Sequence, residues 1–312
     1  MSHDVSIPDV HSYHQILSRA GEKAASQPVR AALVSSGRPE SLRALAQAAD
    51  SGLVSPTVVG NETDLRAVMK REEIDLSDAR MIPTGEISVA AEAAVDLVSR
   101  GETDLLVVDE VSADSLPPLL ADGAGDLIEM GRLVSHVAVL GSAKYVKLML
   151  LTDGMIHPAP DVKTKIGLIG NLVTVAKAID LGRPRVAVLA AVEVVYPQMA
   201  ATLDGAVLAK MAERGQIKGA YVDGPLSFDV AIDMDAAHAK GIMSSDVAGQ
   251  ADAFLAPTVE VASGVYQAMT LFGGCDAGAV LVGAKVPVAM AHRTDSVQNR
   301  LNALALGVLL AH

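Results

Sequence analysis

Short apolar runs alternate with amphipathic stretches along almost the whole chain. "DVHSYHQILSRAGEKAAS" (9–26) has helical spacing, and "VRAALVSS" (29–36) is an apolar run of strand type. "PESLRALAQAADSG" (39–52) reads as a helix with Pro39 early and Gly52 as its stop. "SPTVVG" (55–60), "ETDLRAVMKREE" (62–73), "ARMIP" (79–83), "ISVAAEAAVDLVSRG" (87–101) and "DLLVVD" (104–109) continue the beat of strand, helix, strand, helix, strand. A second series starts near Arg132. "RLVSHVAVL" (132–140) and "VKLMLLTDG" (146–154) are joined by a short connection, which predicts an antiparallel pair. "KTKIGLIGNLVTVAKAIDLG" (163–182) is a helix that stops at Gly182 before Pro184. Strand "RVAVLAA", helix "QMAATLDGAVLAKMAERG", strands "GAYVDG" and "DAFLAP", helix "EVASGVYQAMTLFGG" and strands "GAVLVG" and "PVAMAH" follow. A last helix runs from about Ser296 to Leu310, with Leu301, Leu304 and Val308 on one stripe and Ala305 and Leu309 beside it.

Alternation at these lengths predicts βαβ units and mainly parallel sheets. A chain of 312 residues exceeds one ordinary domain, and the change of series near 130–138 marks two α/β lobes. Half the residues are hydrophobic but only 3% are aromatic, with no Trp, so the core must be built from Ala, Val, Leu, Ile and Met. That composition suits parallel strands covered by helices.

Charge narrows the ligands. The balance of 25 basic against 37 acidic residues gives a net of -12, which argues against nucleic acid and leaves room for a small anion held by local cations and N–H groups. Cys275 is the only cysteine, so neither a disulfide framework nor a Cys-based metal site is expected, and it reads as a buried thiol. The polar start and the lack of an apolar run of ~18 residues point to a cytoplasmic protein without membrane contact. No dinucleotide fingerprint, P-loop, GxSxG elbow or HExxH occurs, and the His residues show no metal-ligand spacing.

In an open α/β sheet, ligands sit beyond the carboxyl ends of the strands. The predicted tips carry Ser35-Ser36-Gly37, Gly60-Asn61, Thr84-Gly85, Asp109-Glu110, Thr152-Asp153-Gly154, Ala191-Val192-Glu193, Asp223-Gly224-Pro225, Pro257-Thr258 and His292-Arg293. Taken singly, each is also what an ordinary turn would use. Asp229 and Asp233 read as solvated carboxylates near a helix start.

Together, "LLTDGMIHPAPD" (150–161), the run from Val186 to Ile232, "LFGGCDAG" (271–278) and "VGAKVPVAMAHRTDS" (282–296) resemble the phosphate acetyl/butyryltransferase family, most closely its phosphate butyryltransferase branch. The resemblance implies a two-lobed, three-layer αβα fold with the active-site cleft between lobes, and a homodimer. It implies a discontinuous first lobe, 1–131 plus 291–312, with 132–290 as the second. It implies transfer of a short-chain acyl group between CoA and inorganic phosphate, with CoA as substrate and no resident cofactor. Arg293 matches the family's phosphate-binding arginine, His292 stands where a Ser usually faces the CoA sulfur, and Ser296 would cap the last helix. Substrate contacts are expected from Thr152, Asp153, Asp223, Gly224, Pro225, Ser263, Gly273 and Gly274.

Several positions depart from the family pattern: Thr258, Ser263 and Gln267 in "PTVEVASGVYQ", Pro117 in place of an Arg, and Asn299 in place of the acetyl branch's carboxylate. Asp109 and Glu110 stand at a tip that is normally non-acidic. A like charge ~4 Å from a phosphate costs about 4 kcal/mol at an effective dielectric near 20, so acids facing the ligand would oppose binding. Two other readings therefore stand beside the active enzyme. One is a catalytically impaired member serving as a binding, scaffolding or regulatory subunit. The other is an enzyme of the same fold with a different acceptor, or with a cation held by Asp109 and Glu110.

Overall fold

The structure, a computed structural model, describes residues 10–109, 127–128 and 131–312. Its first series runs α1 (Tyr13–Ala24), β1 (Val29–Val34), α2 (Pro39–Asp50), β2 (Val54–Gly60), α3 (Glu62–Arg71), β3 (Arg80–Pro83), α4 (Ile87–Ser99) and β4 (Leu105–Val108). The second runs β5 (Ser135–Gly141), β6 (Met149–Thr152), α5 (Val162–Ala178), β7 (Arg185–Leu189), α6 (Ala200–Glu213), β8 (Tyr221–Leu226), α7 (Phe228–Ile232), α8 (Met234–Ala239), β9 (Ala253–Leu255) and α9 (Val259–Leu271). The chain finishes with β10 (Asp276–Val282), β11 (Val288–Met290) and α10 (Val297–Leu310).

Two compact units result, one of residues 13–134 with 276–312 and one of 135–275 joined by residues 10–12. In the discontinuous unit the strand order is β3-β2-β1-β4-β11-β10. All neighbours are parallel except β10, which runs antiparallel to β11. The sequence reading returned the chain to this unit at 291, and the structure moves the return to Asp276. The reason is hydrogen bonding: Val288–Met290 pair with Leu106–Val108, and β10 pairs in turn with β11.

In the contiguous unit the order is β5-β6-β9-β7-β8. β5 and β6 form the expected antiparallel pair, and the remaining neighbours are parallel. Strands β1, β4, β6 and β9 are almost wholly apolar and bury four, four, four and three of their residues. Continuous apolar runs are what strands covered on both faces require.

Local signals fix the helix starts. Pro39 opens α2, the Asn61 side chain accepts from the N–H groups of Thr63 and Asp64, and Asp161 accepts from Thr164 N–H at 2.7 Å. Helix α10 is buried on more than the one stripe its pattern suggests. Arg300 and every residue from Asn302 to Val308 are buried, against β10, β11, α1 and α2. Among the described residues no helix is long and apolar enough to cross a membrane.

Candidate active site

Because β3, β2, β1, β4 and β11 are parallel, their carboxyl ends share one edge of the discontinuous unit. Strand order reverses between β1 and β4, the position where open sheets hold their ligands. Here the position is filled from within. The Asp109 carboxylate, 1% exposed, accepts from Ser35 Oγ at 2.9 Å, from Ser36 N–H at 2.8 Å and from Arg38 N–H at 3.4 Å. An internal carboxylate thus occupies the N–H groups before α2 that could have received an anion. Burial pushes its pKa above the ordinary carboxylate value, while the hydrogen bonds from Ser35, Ser36 and Arg38 oppose that rise. The expectation that Asp109 repels an incoming phosphate is corrected: its charge is turned inward to hold the β1–α2 loop. Glu110 and Pro117 lie outside the described residues.

Beyond β11 the chain makes a tight turn. His292 N–H donates to Asp295 Oδ2 at 2.7 Å, and Asp295 N–H donates back to His292 O at 3.0 Å. Arg293 and Thr294 are left exposed between them. Burial lowers the His292 pKa against the opposing charge of Asp295, so at pH 7 the imidazole is neutral with one N–H to donate. Ser296 caps α10 by accepting from Asn299 N–H at 3.1 Å. Asn299 then accepts from Ala277 N–H at 3.1 Å, which makes it a link to β10. Arg300, which the sequence reading passed over, is 4% exposed and donates to the carbonyls of Asp109, His292 and Arg293. A charged residue inside a Leu-rich helix was its only signal in sequence.

In the contiguous unit, Asp223-Gly224-Pro225 does not sit past a strand end as its composition suggests. It lies inside β8, whose edge position tolerates a proline, and the tip falls at Ser227. Asp223 accepts from Gly224 N–H at 2.8 Å and from the Ser245 hydroxyl, whose Oγ takes Val247 and Ala248 N–H at 3.1 and 2.9 Å. Gly224 and Gly205 make room for each other: a Cβ on Gly205 would lie 2.8 Å from Pro225 N, and one on Gly224 would lie 2.9 Å from Val188 O. The close neighbours that Gly224 admits are Val188, at its Cβ and carbonyl oxygen, and Gly205 of the same unit.

Other expected contacts have internal partners too. Thr152 Oγ1 donates to His136 O at 2.9 Å, and buried Asp153 takes Met155 and Ile156 N–H at 2.8 and 3.0 Å. Gly273 and Gly274 end α9: Gly273 N–H donates to Ala268 O at 3.1 Å, and Gly274 has a φ of +62°. On that helix Gln267 donates to Ser263 Oγ at 3.2 Å. Cys275 is buried, as expected.

One constellation at the tips of β7 and β8 was not put together from sequence. The Ser227 hydroxyl lies within hydrogen-bond distance of both Glu193 and Asp229 and shares its one proton between them, and Lys240 Nζ reaches Glu193 at 3.2 Å, Ser227 at 2.9 Å and Asp229 at 3.0 Å. The Ser227 hydrogen bond first, and Lys240 second, hold Asp229 down to about 2. The sequence places Glu193 at a tip, but nothing in the pattern of charges joins it to Lys240.

A profile of the family described as phosphate acetyl/butaryl transferase matches residues 84–308. The chain belongs to that family. The phosphate butyryltransferase of Clostridium acetobutylicum is 38% identical over 271 residues, covering 86% of this chain and 89% of its own length. The phosphate acetyltransferase of Rhizobium meliloti is 36% identical over 271 residues, 87% of this chain and 85% of its own. A branched-chain phosphotransacylase from Enterococcus faecalis V583 superposes with a TM-score of 0.77 at 25% identity, over 91% of this chain and 100% of that one. For a phosphate acetyl/butyryltransferase family member, then, the departures at Asp109 and Asn299 are internal supports. The one at His292 sits in the turn that carries Arg293.

Proposed function

We propose that the protein transfers a short-chain acyl group between CoA and inorganic phosphate, with Arg293 holding the phosphate. The observation that carries this reading is the turn after β11. It presents an exposed guanidinium at the carboxyl edge of parallel strands, in a chain of this family. A guanidinium forks onto two phosphate oxygens and lowers their charge as one attacks.

The reaction asks little else of the protein. An oxygen of hydrogen phosphate adds to the thioester carbonyl carbon, the C–S bond breaks, and the proton that the phosphate carried ends on the thiolate sulfur. Acyl phosphate and free CoA result, and no covalent enzyme intermediate is needed. His292, held in the same turn, takes the place that the resemblance gives to a Ser, where we assign it a hydrogen bond to the departing sulfur and not the proton itself. Charge stabilisation and alignment supply the rate.

The impaired-subunit reading rested on several substitutions at the site, with the acidic charge of Asp109 and Glu110 opposing phosphate among them. That support is gone where Asp109 is concerned, since its carboxylate is internal. We further propose that the protein is a homodimer. Exposed Val194, Val195 and Tyr196, with Leu203 and Val207 on α6, give an apolar area for such contact. Sedimentation as a monomer at every concentration would end that proposal.

The deciding assay is release of free thiol from acetyl-, propionyl-, butyryl- and branched acyl-CoA in the presence of phosphate. Release with any of them supports acyl transfer, and silence with all of them overturns it. Arg293→Ala should lower phosphate-dependent release by about a hundredfold, roughly the loss of charge-assisted contacts worth 1.5–3 kcal/mol, with the thermal transition unchanged. Wild-type rate and phosphate dependence in that variant would remove Arg293 from the reaction.

A further inference from the structure

Arg300 is a cation almost without solvent, and burying a guanidinium is unfavourable unless its donors are met by well-placed acceptors. Nη1 donates to Ser41 Oγ at 2.9 Å and to Asp109 O at 2.8 Å. Nη2 donates to His292 O at 3.2 Å and to Arg293 O at 3.4 Å. The acceptors come from three stretches distant in sequence: the start of α2, the tip of β4 and the tip of β11. Burial lowers the Arg300 pKa, and the negative charges of Asp295 and Asp109 oppose that loss.

We propose that Arg300 is a positioning residue for the phosphate site, acting by fixing the backbone from which Arg293 projects; this rests on the function proposed above. Asp295 already closes the turn at the N–H and carbonyl of His292. Arg300 donates to that carbonyl and to the next one, so the backbone on which Arg293 stands is held at both residues. The planar fork matters. It spans carbonyls from separate strands at once, which the single ammonium of a lysine does over a shorter reach. Phosphate recognition by a fork depends on direction, and an ångström of misplacement can reduce a rate about a hundredfold.

The test compares the parent with Arg300→Met, Arg300→Lys, Arg293→Ala and the double variant Arg300→Met/Arg293→Ala. Three measurements are made on each: acyl-CoA turnover against phosphate concentration, calorimetric titration with inorganic phosphate, and amide hydrogen exchange over residues 291–296. For Arg300→Met we expect KM for phosphate to rise about tenfold, with KM for acyl-CoA little changed and faster exchange across the turn. Arg300→Lys should fall between that variant and the parent. The double variant should bind phosphate no worse than Arg293→Ala, because a residue that acts through Arg293 has no effect once Arg293 is gone.

A folded Arg300→Met with unchanged phosphate KM and binding overturns the proposal. So does an equal loss towards both substrates, or a full additive loss in the double variant, since either result describes a purely structural residue. If Arg300→Met does not fold, Arg300→Lys carries the same measurements. A parent that binds phosphate but releases no thiol defeats the proposed function, while the binding arm still decides the positioning. A parent that binds no phosphate overturns the positioning.

Discussion

The tips of β4 and β11 in one unit and strand β8 in the other are held by opposite means. In the discontinuous unit, buried polar groups do it: Asp109 collects the loop after β1, and Arg300 collects the carbonyls of β4 and β11. In the contiguous unit the Asp-Gly-Pro strand is held by close packing, with Gly205 of α6 against Pro225 and Gly224 against Val188. Acidic residues do not follow that division, since Asp153 of the contiguous unit is as enclosed as Asp109. Asp109 is enclosed, whereas Asp229 is on the surface beside Lys240. An acid at a strand tip therefore says little about ligand charge until its direction is known.

The largest stability effect should come from breaking the packed support. Gly205→Ala places a Cβ against backbone of Pro225, which cannot yield as a flexible side chain would. Overpacking of this kind should cost about 3 kcal/mol, read as a lower denaturation midpoint. Gly170 on α5 has nothing within 4 Å of an added Cβ, so Gly170→Ala should instead stabilise by about 1 kcal/mol. Equal behaviour of the two variants would mean that Gly205 is not part of the support.

Breaking the polar support should have a smaller effect. Asp109→Asn keeps an acceptor but loses the charge, and a loss of about 1–2 kcal/mol at neutral pH is expected. Its dependence on pH has a definite sign. The folded-state pKa of Asp109 is raised above 3.8, so within that window the folded chain keeps a proton that the unfolded chain has released. The resulting stability is complete below 3.8 and is lost as pH rises through the folded value. The stability difference between parent and Asp109→Asn should therefore be greatest in acid and shrink as pH rises. A difference that grows with pH would contradict the enclosed carboxylate.

The smallest effect sharpens the contrast between the two acids. Asp229 is held down to about 2 by Ser227 and then Lys240, so its contribution is present above 3.8 and lost as pH falls towards 2. Carboxyl resonances followed by NMR titration should show Asp109 and Asp229 moving from the ordinary value in opposite directions. Coincident midpoints would erase the distinction between the two acids.

Much of the fold was legible because its signals are local. Continuous apolar runs mark β1, β4 and β6; Pro39 and Ser296 mark helix starts; the short link between β5 and β6 marks an antiparallel pair. What escaped depends on neighbours distant in the chain. Pro225 looked like a strand end because its tolerance on an edge depends on strand order, which sequence does not display. Asp109 looked like a rim acid because the N–H groups that claim it lie on the loop after another strand. The Ser227–Lys240 link fails for the same reason, and so does Arg300, whose acceptors lie on α2, β4 and β11. Of the tips, His292-Arg293 kept its expected place, while Thr152, Asp153, Gly273 and Gly274 have internal duties.

The return of the chain at Asp276 also sets an order of events during synthesis. Strands β1 to β4 leave the ribosome early, but the outer edge of β4 waits for Val288–Met290, and α2 waits for α10. Everything in 135–275 is made in one stretch and can close its own core while the earlier strands are still incomplete. Through that interval β4 offers unpaired N–H and carbonyl groups along an apolar strand, the form most prone to pair with another chain. Pairing with β11 is thus also what ends that exposure of β4.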